Sequence, residues 1–175
     1  MVVIPLVLLG GLEAALRLAG YDYRTSLFKE IQISEEKFGL ALADYGRARQ
    51  QRPQDPQTIF SMGKVLAKLN RHTEAIENYR AAIRLNPANW EAHFELGGEL
   101  DSANQLATAR NEFGEAARLN PGNARTHFNY GVLLVKQEQL DEAQREFEET
   151  IRLEPDYKMA QTYLAQLRAM KKRTP

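Results

Sequence analysis

Cysteine is absent from the 175 residues. That excludes disulfides, thiolate metal sites, thiol nucleophiles and an anchor on a lipidated cysteine. Charge of one sign is not in excess either. The 23 Lys and Arg are matched by 23 Asp and Glu, so no net field draws the chain to nucleic acid or to an anionic membrane. The one dense basic run, Lys171-Lys172-Arg173, is too short for a nucleic-acid stripe. Long apolar runs are scarce. Residues 2–12 are uncharged, but a bilayer-spanning helix needs roughly 20 apolar residues. No His-x-x-x-His pair, Gly-rich phosphate loop or nucleophile elbow occurs, and the carboxylates sit in ordinary helix-surface pairs. No enzyme activity, cofactor, metal or small-molecule substrate is expected.

What the chain does have is a period. Pro53, Pro87, Pro121 and Pro155 follow one another at intervals of 34 residues. Other positions repeat in register with them: Gly63, Gly97 and Gly131; Leu66, Leu100 and Leu134; Ala75, Ala109 and Ala143; Tyr79, Phe113 and Phe147. His93 and His127 are also equivalent, so their recurrence is a packing rule and not a ligand set. Small residues let two helices approach closely, and the aromatic fills the gap between them. Proline cannot extend a helix. Asp55, Asn89 and Asn123 stand where a short polar side chain caps the next helix, and Pro56 falls at a first helical position. A unit of this length cannot bury its own apolar face, so the units must stack.

The pattern resembles the tetratricopeptide repeat family. Three units match well, 56–89, 90–123 and 124–157, and 22–55 matches in its second half only, at Ala41, Tyr45, Ala48 and Pro53. The resemblance implies an all-α, right-handed α-solenoid of helix pairs. Helices are expected near 56–69, 73–86, 90–103, 107–120, 124–137 and 141–154. Another is expected over 34–51, opened by Ser34 as N-cap, and Asp141 with Gln144 forms a candidate capping box. Lys158 to Arg173 carries a helical stripe of Met159, Ala160, Tyr163, Leu164, Leu167 and Met170. It reads as a C-terminal capping helix within residues 158–175.

Residues 1–21 form an apolar N-terminal segment, read as a helix. Within it, Leu12 to Tyr21 resembles the tail of N-terminal anchors on bacterial membrane proteins. Three readings stand side by side for residues 2–19: a membrane anchor, a helix buried in a larger complex, and a helix folded back on the solenoid. Arg17, Arg24 and Lys29 after the run favour a cytoplasmic body, whereas the anchor resemblance implies the periplasm.

In the family, the first helix of each unit lines a concave groove. That would stack Phe60, Phe94 and Phe128 as a ladder of rings able to anchor a bound segment. They read equally as core, with Ile59, His93 and His127 competing for the inward role. The polar groove set includes Lys64, Glu91, Glu95, Arg125 and Asn129, together with Asp101, Ser102 and Lys136. Lys64 and Arg125 are expected to neutralise Glu91 and Glu95; the sharper alternative is that these carboxylates await a basic partner. Some members of the family clamp terminal carboxylates with Lys, Asn and Arg at set groove positions. Here Phe60, Lys64, Glu95 and Asn129 occupy four of them, and only Arg125 keeps a required charge, so that subtype is not expected. The expected function is a non-enzymatic protein-binding scaffold, membrane-attached. The alternative is a structural subunit of a larger membrane complex.

Overall fold

The computed structural model describes residues 25–171, which contain eight helices: α1 (Thr25–Gln51), α2 (Pro56–Lys68), α3 (His72–Leu85), α4 (Trp90–Ser102), α5 (Leu106–Leu119), α6 (Ala124–Lys136), α7 (Leu140–Leu153) and α8 (Lys158–Lys171). The apolar segment 2–19 lies outside the described residues. The chain divides into two compact units, residues 1–40 and 41–175.

The 34-residue period is realised as three antiparallel helix pairs, α2 with α3, α4 with α5 and α6 with α7. Each first helix starts on its expected cap: Asp55, Asn89 and Asn123 accept from the backbone N–H of Thr58, Ala92 and Thr126. Pro56 stands at the start of α2. Each pair turns on one residue in the left-handed region, Asn70, Asn104 or Glu138, with φ of 58°, 58° and 59°. The N–H of Arg71, Gln105 and Gln139 then reaches back to Leu66, Leu100 and Leu134, closing the helix end as a Schellman motif.

Close approach within a pair depends on its glycine. A Cβ added at Gly63, Gly97 or Gly131 would come within 2.7, 3.0 or 2.8 Å of the ring of Tyr79, Phe113 or Phe147. Ala75, Ala109 and Ala143 are fully buried at the same crossings. Two apolar clusters result, and Tyr130 packs against both.

Two expectations about helix starts are corrected. Ser34 does not open a helix, because α1 runs unbroken from Thr25 to Gln51. The position that turns left-handed in the later units falls here on Glu36, between Glu35 and Lys37, and this run of good helix formers continues the helix. The 22–55 segment therefore contributes a single helix and not a pair. Asp141 likewise lies inside α7, which starts at Leu140 behind Gln139, so it does not stand at the N-cap, and Gln144 donates to Glu148. The capping helix α8 buries Ala160, Leu164 and Leu167, while Met159 and Met170 stay exposed.

Candidate functional site: a polar groove floored by buried rings

The first helices of successive pairs meet directly, α2 with α4 and α4 with α6. Their mutual approach puts α2, α4 and α6 on the inner side of the stack. One contact crosses this inner face outright: the Lys136 ammonium on α6 holds the Asp101 carboxylate on α4 at 2.6 Å.

The rings of Phe60, Phe94 and Phe128 lie beneath this surface. They are only 2%, 6% and 6% exposed. Each packs on the aromatic of its own second helix, Tyr79, Phe113 or Phe147, with centroids 5.8, 5.7 and 5.8 Å apart. Their groove-side faces are covered too. The Lys64 ammonium sits 5.4 Å from the centre of the Phe60 ring, and the Arg125 guanidinium 4.7 Å from that of Phe94. Tyr157 and Tyr163 cover Phe128 at 4.9 and 5.7 Å. The three rings are thus a floor and not an open ladder. Ile59, His93 and His127, the competing inward residues, are buried as well, because a first helix is enclosed on two sides.

The cations over the rings change the charge pattern. No ion pair joins Glu91 or Glu95 to Lys64 or Arg125 among the described residues, and Arg125 lies on the Phe94 ring instead. Glu91 is exposed and Glu95 half-buried. Beside them Gly98 leaves a gap, since a Cβ built there meets nothing within 4 Å. The middle of the groove is therefore a bare patch flanked by two unpaired carboxylates, with Lys64 on one side and Arg125 and half-buried Asn129 on the other.

The histidines hold the pairs together. His93 Nδ1 lies 2.7 Å from the Glu112 carboxylate and Nε2 3.2 Å from the Pro87 carbonyl. His127 repeats this with Glu146 at 2.7 Å and the Pro121 carbonyl at 3.0 Å. Both nitrogens of each ring face acceptors, which only the doubly protonated ring satisfies. The hydrogen bond to glutamate accordingly raises both histidine pKa values, against an opposing effect of burial. Gln161 takes the same place in α8, donating to the Pro155 carbonyl at 2.6 Å. Among the described residues no group of His, Asp and Glu is arranged to hold a metal ion, and no helix is long and apolar enough to cross a membrane.

The repeat geometry matches known families. Residues 63–98 match the family described as TPR repeat, and residues 100–167 the one described as tetratricopeptide repeat, together more than half of the chain. The chain belongs to the tetratricopeptide repeat family. No curated protein matches it. Among solved structures, the tetratricopeptide chain is similar to a crystal structure of MamA, with a TM-score of 0.74 at 20% identity over 81% of this chain and 82% of that one. MamA 41-end from Desulfovibrio magneticus RS-1 gives a TM-score of 0.72 at 20% identity, over 81% and 82%. The first TPR of Spaghetti (RPAP3), bound to the HSP90 peptide SRMEEVD, gives 0.65 at 20% identity, covering 68% of this chain and 94% of that one. At such identities the likeness is one of fold. Tetratricopeptide repeats are generally protein-interaction modules without catalytic activity, and this chain carries that architecture.

Proposed function

We propose that this chain is a non-enzymatic scaffold that holds a segment of a protein partner along α2, α4 and α6. The observation that carries the reading is the pair Glu91 and Glu95, without an ion-pair partner among the described residues, on the inner face beside the open space at Gly98. Like charges one helical turn apart destabilise a free helix by roughly 0.2–0.5 kcal/mol, and a cationic ligand relieves that repulsion. The partner segment therefore carries Lys or Arg at its centre. Its ends meet Lys64 on one side and Arg125 and Asn129 on the other. Phe60, Phe94 and Phe128 support these side chains from below. A solved relative in fold that holds a bound peptide supports the general mode. Its acidic peptide is the wrong sign for the centre of this groove.

The test is capture of partners on immobilised full-length protein. Glu91→Gln with Glu95→Gln is expected to reduce retention and its salt dependence while leaving the melting temperature unchanged. Phe94→Ala is expected to lose stability, by about 3–5 kcal/mol, together with retention. Unchanged capture by the Glu91/Glu95 double variant sinks the groove reading.

We also propose attachment to a membrane through residues 2–19, supported by the uncharged run 2–12. Flotation of the purified full-length chain with lipid vesicles tests it. Failure to float with any vesicle while still co-purifying with protein neighbours would favour a subunit buried in a complex.

A further inference from the structure

The three helix pairs differ on the outer side in one systematic way. In the second pair, Glu112 takes His93 and Glu115 takes Arg118; in the third, Glu146 takes His127 and Glu149 takes Arg152. The equivalent places in the first pair read Asn78 for the first glutamate, Ala81 for the second and Ile59 for the histidine. Arg84 remains, at the place of Arg118 and Arg152, but its carboxylate partner is gone.

Two further arginines join it. Arg80, one turn earlier on α3, stands where the other pairs have Gly114 and Glu148. Arg49 comes from the last part of α1. Together they line a cleft of about 450 Å³ with Glu77, Asn78 and Ala81. Arg47, Arg71, Arg110, Arg118, Arg152 and Arg168 each hold a carboxylate. Among the described residues, none of Arg49, Arg80 and Arg84 does, although Glu77 lies on the same wall. In a chain with no net charge, three unpaired guanidiniums and one carboxylate in a single cleft form a local cationic site.

We propose that this outer cleft docks an acidic segment of a protein partner, on a face separate from the groove. Guanidinium forks match carboxylates in geometry and form the stronger, charge-assisted class of hydrogen bond. Arg80 and Arg84 are one turn apart on α3, and Arg49 faces them across the cleft. That spread suits carboxylates distributed along a peptide better than a single compact anion. Glu77 opposes a dense polyphosphate, whereas a peptide presents a backbone N–H or a basic side chain to it. The absence of a wider basic stripe disfavours nucleic acid or a membrane surface.

The test uses the full chain and a fluorescent peptide of alternating Glu and Ala, read by anisotropy at low and at physiological salt. Its control is the same peptide with Gln for Glu. The Glu peptide is expected to bind and the Gln peptide not to. The triple variant Arg49→Gln, Arg80→Gln, Arg84→Gln is expected to weaken binding about tenfold or more, with the loss largest at low salt. Its melting temperature should stay the same or rise, since exposed like charges are removed. The groove variant Lys64→Gln with Arg125→Gln should change binding less than about twofold. Several results overturn the proposal: no binding by the parent, equal binding by the Gln peptide, a triple variant that binds like the parent, or loss on the groove variant instead. Full displacement by inorganic phosphate at concentrations matching the peptide, or binding to anionic vesicles in place of the peptide, would assign the cleft to a different ligand. These outcomes leave the groove reading standing or falling on its own test.

Discussion

Two glycines of the first helices make opposite demands. Gly131 lies 2.8 Å, measured from an added Cβ, from the Phe147 ring, while Gly98 faces open space. Gly131→Ala is therefore expected to lower stability by about 1–2 kcal/mol through overpacking, and Gly98→Ala to raise it by roughly 0.5–1 kcal/mol through helix propensity. Urea midpoints of the two variants check the sign. Tyr79 makes a similar point. Its hydroxyl is buried without a partner where the other pairs have Phe113 and Phe147, and burial pushes its pKa upward. Tyr79→Phe removes an unsatisfied group, so thermal unfolding should show it as stable as the parent or more so, by up to about 1–2 kcal/mol. The histidines give a pH signature. Their pKa values are raised in the fold above the ordinary 6.5. Their contribution is then fully present below about 6.5 and is lost as pH rises through the raised values. The urea midpoint should fall over that window, and His93→Gln with His127→Gln should flatten the fall. The sequence showed that these positions repeat, but not that each ring bridges a carbonyl and a carboxylate. The partners of His93, Pro87 and Glu112, lie 6 and 19 residues away, in other elements.

At the scale of elements, the helix pairs were legible because several kinds of residue repeat together and each has a physical task. The turns within the pairs were less so. Asn70 and Asn104 are natural left-handed residues, but Glu138 is not. Glu138→Gly is expected to raise stability by roughly 0.5–1 kcal/mol, because glycine adopts that conformation without the steric penalty. A differential scan beside Asn70→Gly, where the gain should be smaller, separates turn strain from a general effect. The start of α1 is hidden in the sequence for a related reason. A lone serine followed by two glutamates imitates a helix start, yet nothing ahead of Ser34 ends the preceding helix. The sequence does not choose between the two roles of the groove rings, because Ile59 and Phe60, His93 and Phe94, and His127 and Phe128 are all buried neighbours. A helix enclosed on two sides gives no periodicity from which to choose one.

For the whole molecule, the repeat fixed which helices line the inner face, and through them where Lys64, Glu91, Glu95, Arg125 and Asn129 stand. What spacing alone did not supply was the choice each cation makes between a carboxylate and a ring. Arg125 lies 4.7 Å from the centre of Phe94, and Glu91 and Glu95 are left without an ion-pair partner among the described residues. The resulting face of α2, α4 and α6 has an acidic centre beside the open space at Gly98 and cationic flanks, while the outer cleft of Arg49, Arg80 and Arg84 has the opposite sign. The central claim is that a partner lies in the groove. It is tested most directly by site-specific photo-crosslinking in the cells that make the protein, with a benzophenone amino acid in place of Gly98 and, separately, in place of exposed Asn111 on α5. The account predicts a discrete protein adduct from position 98, lost when Glu91 and Glu95 are both changed to Lys, and none from position 111. Equal adducts from both positions, or an adduct from 98 that survives the charge reversal, would contradict it.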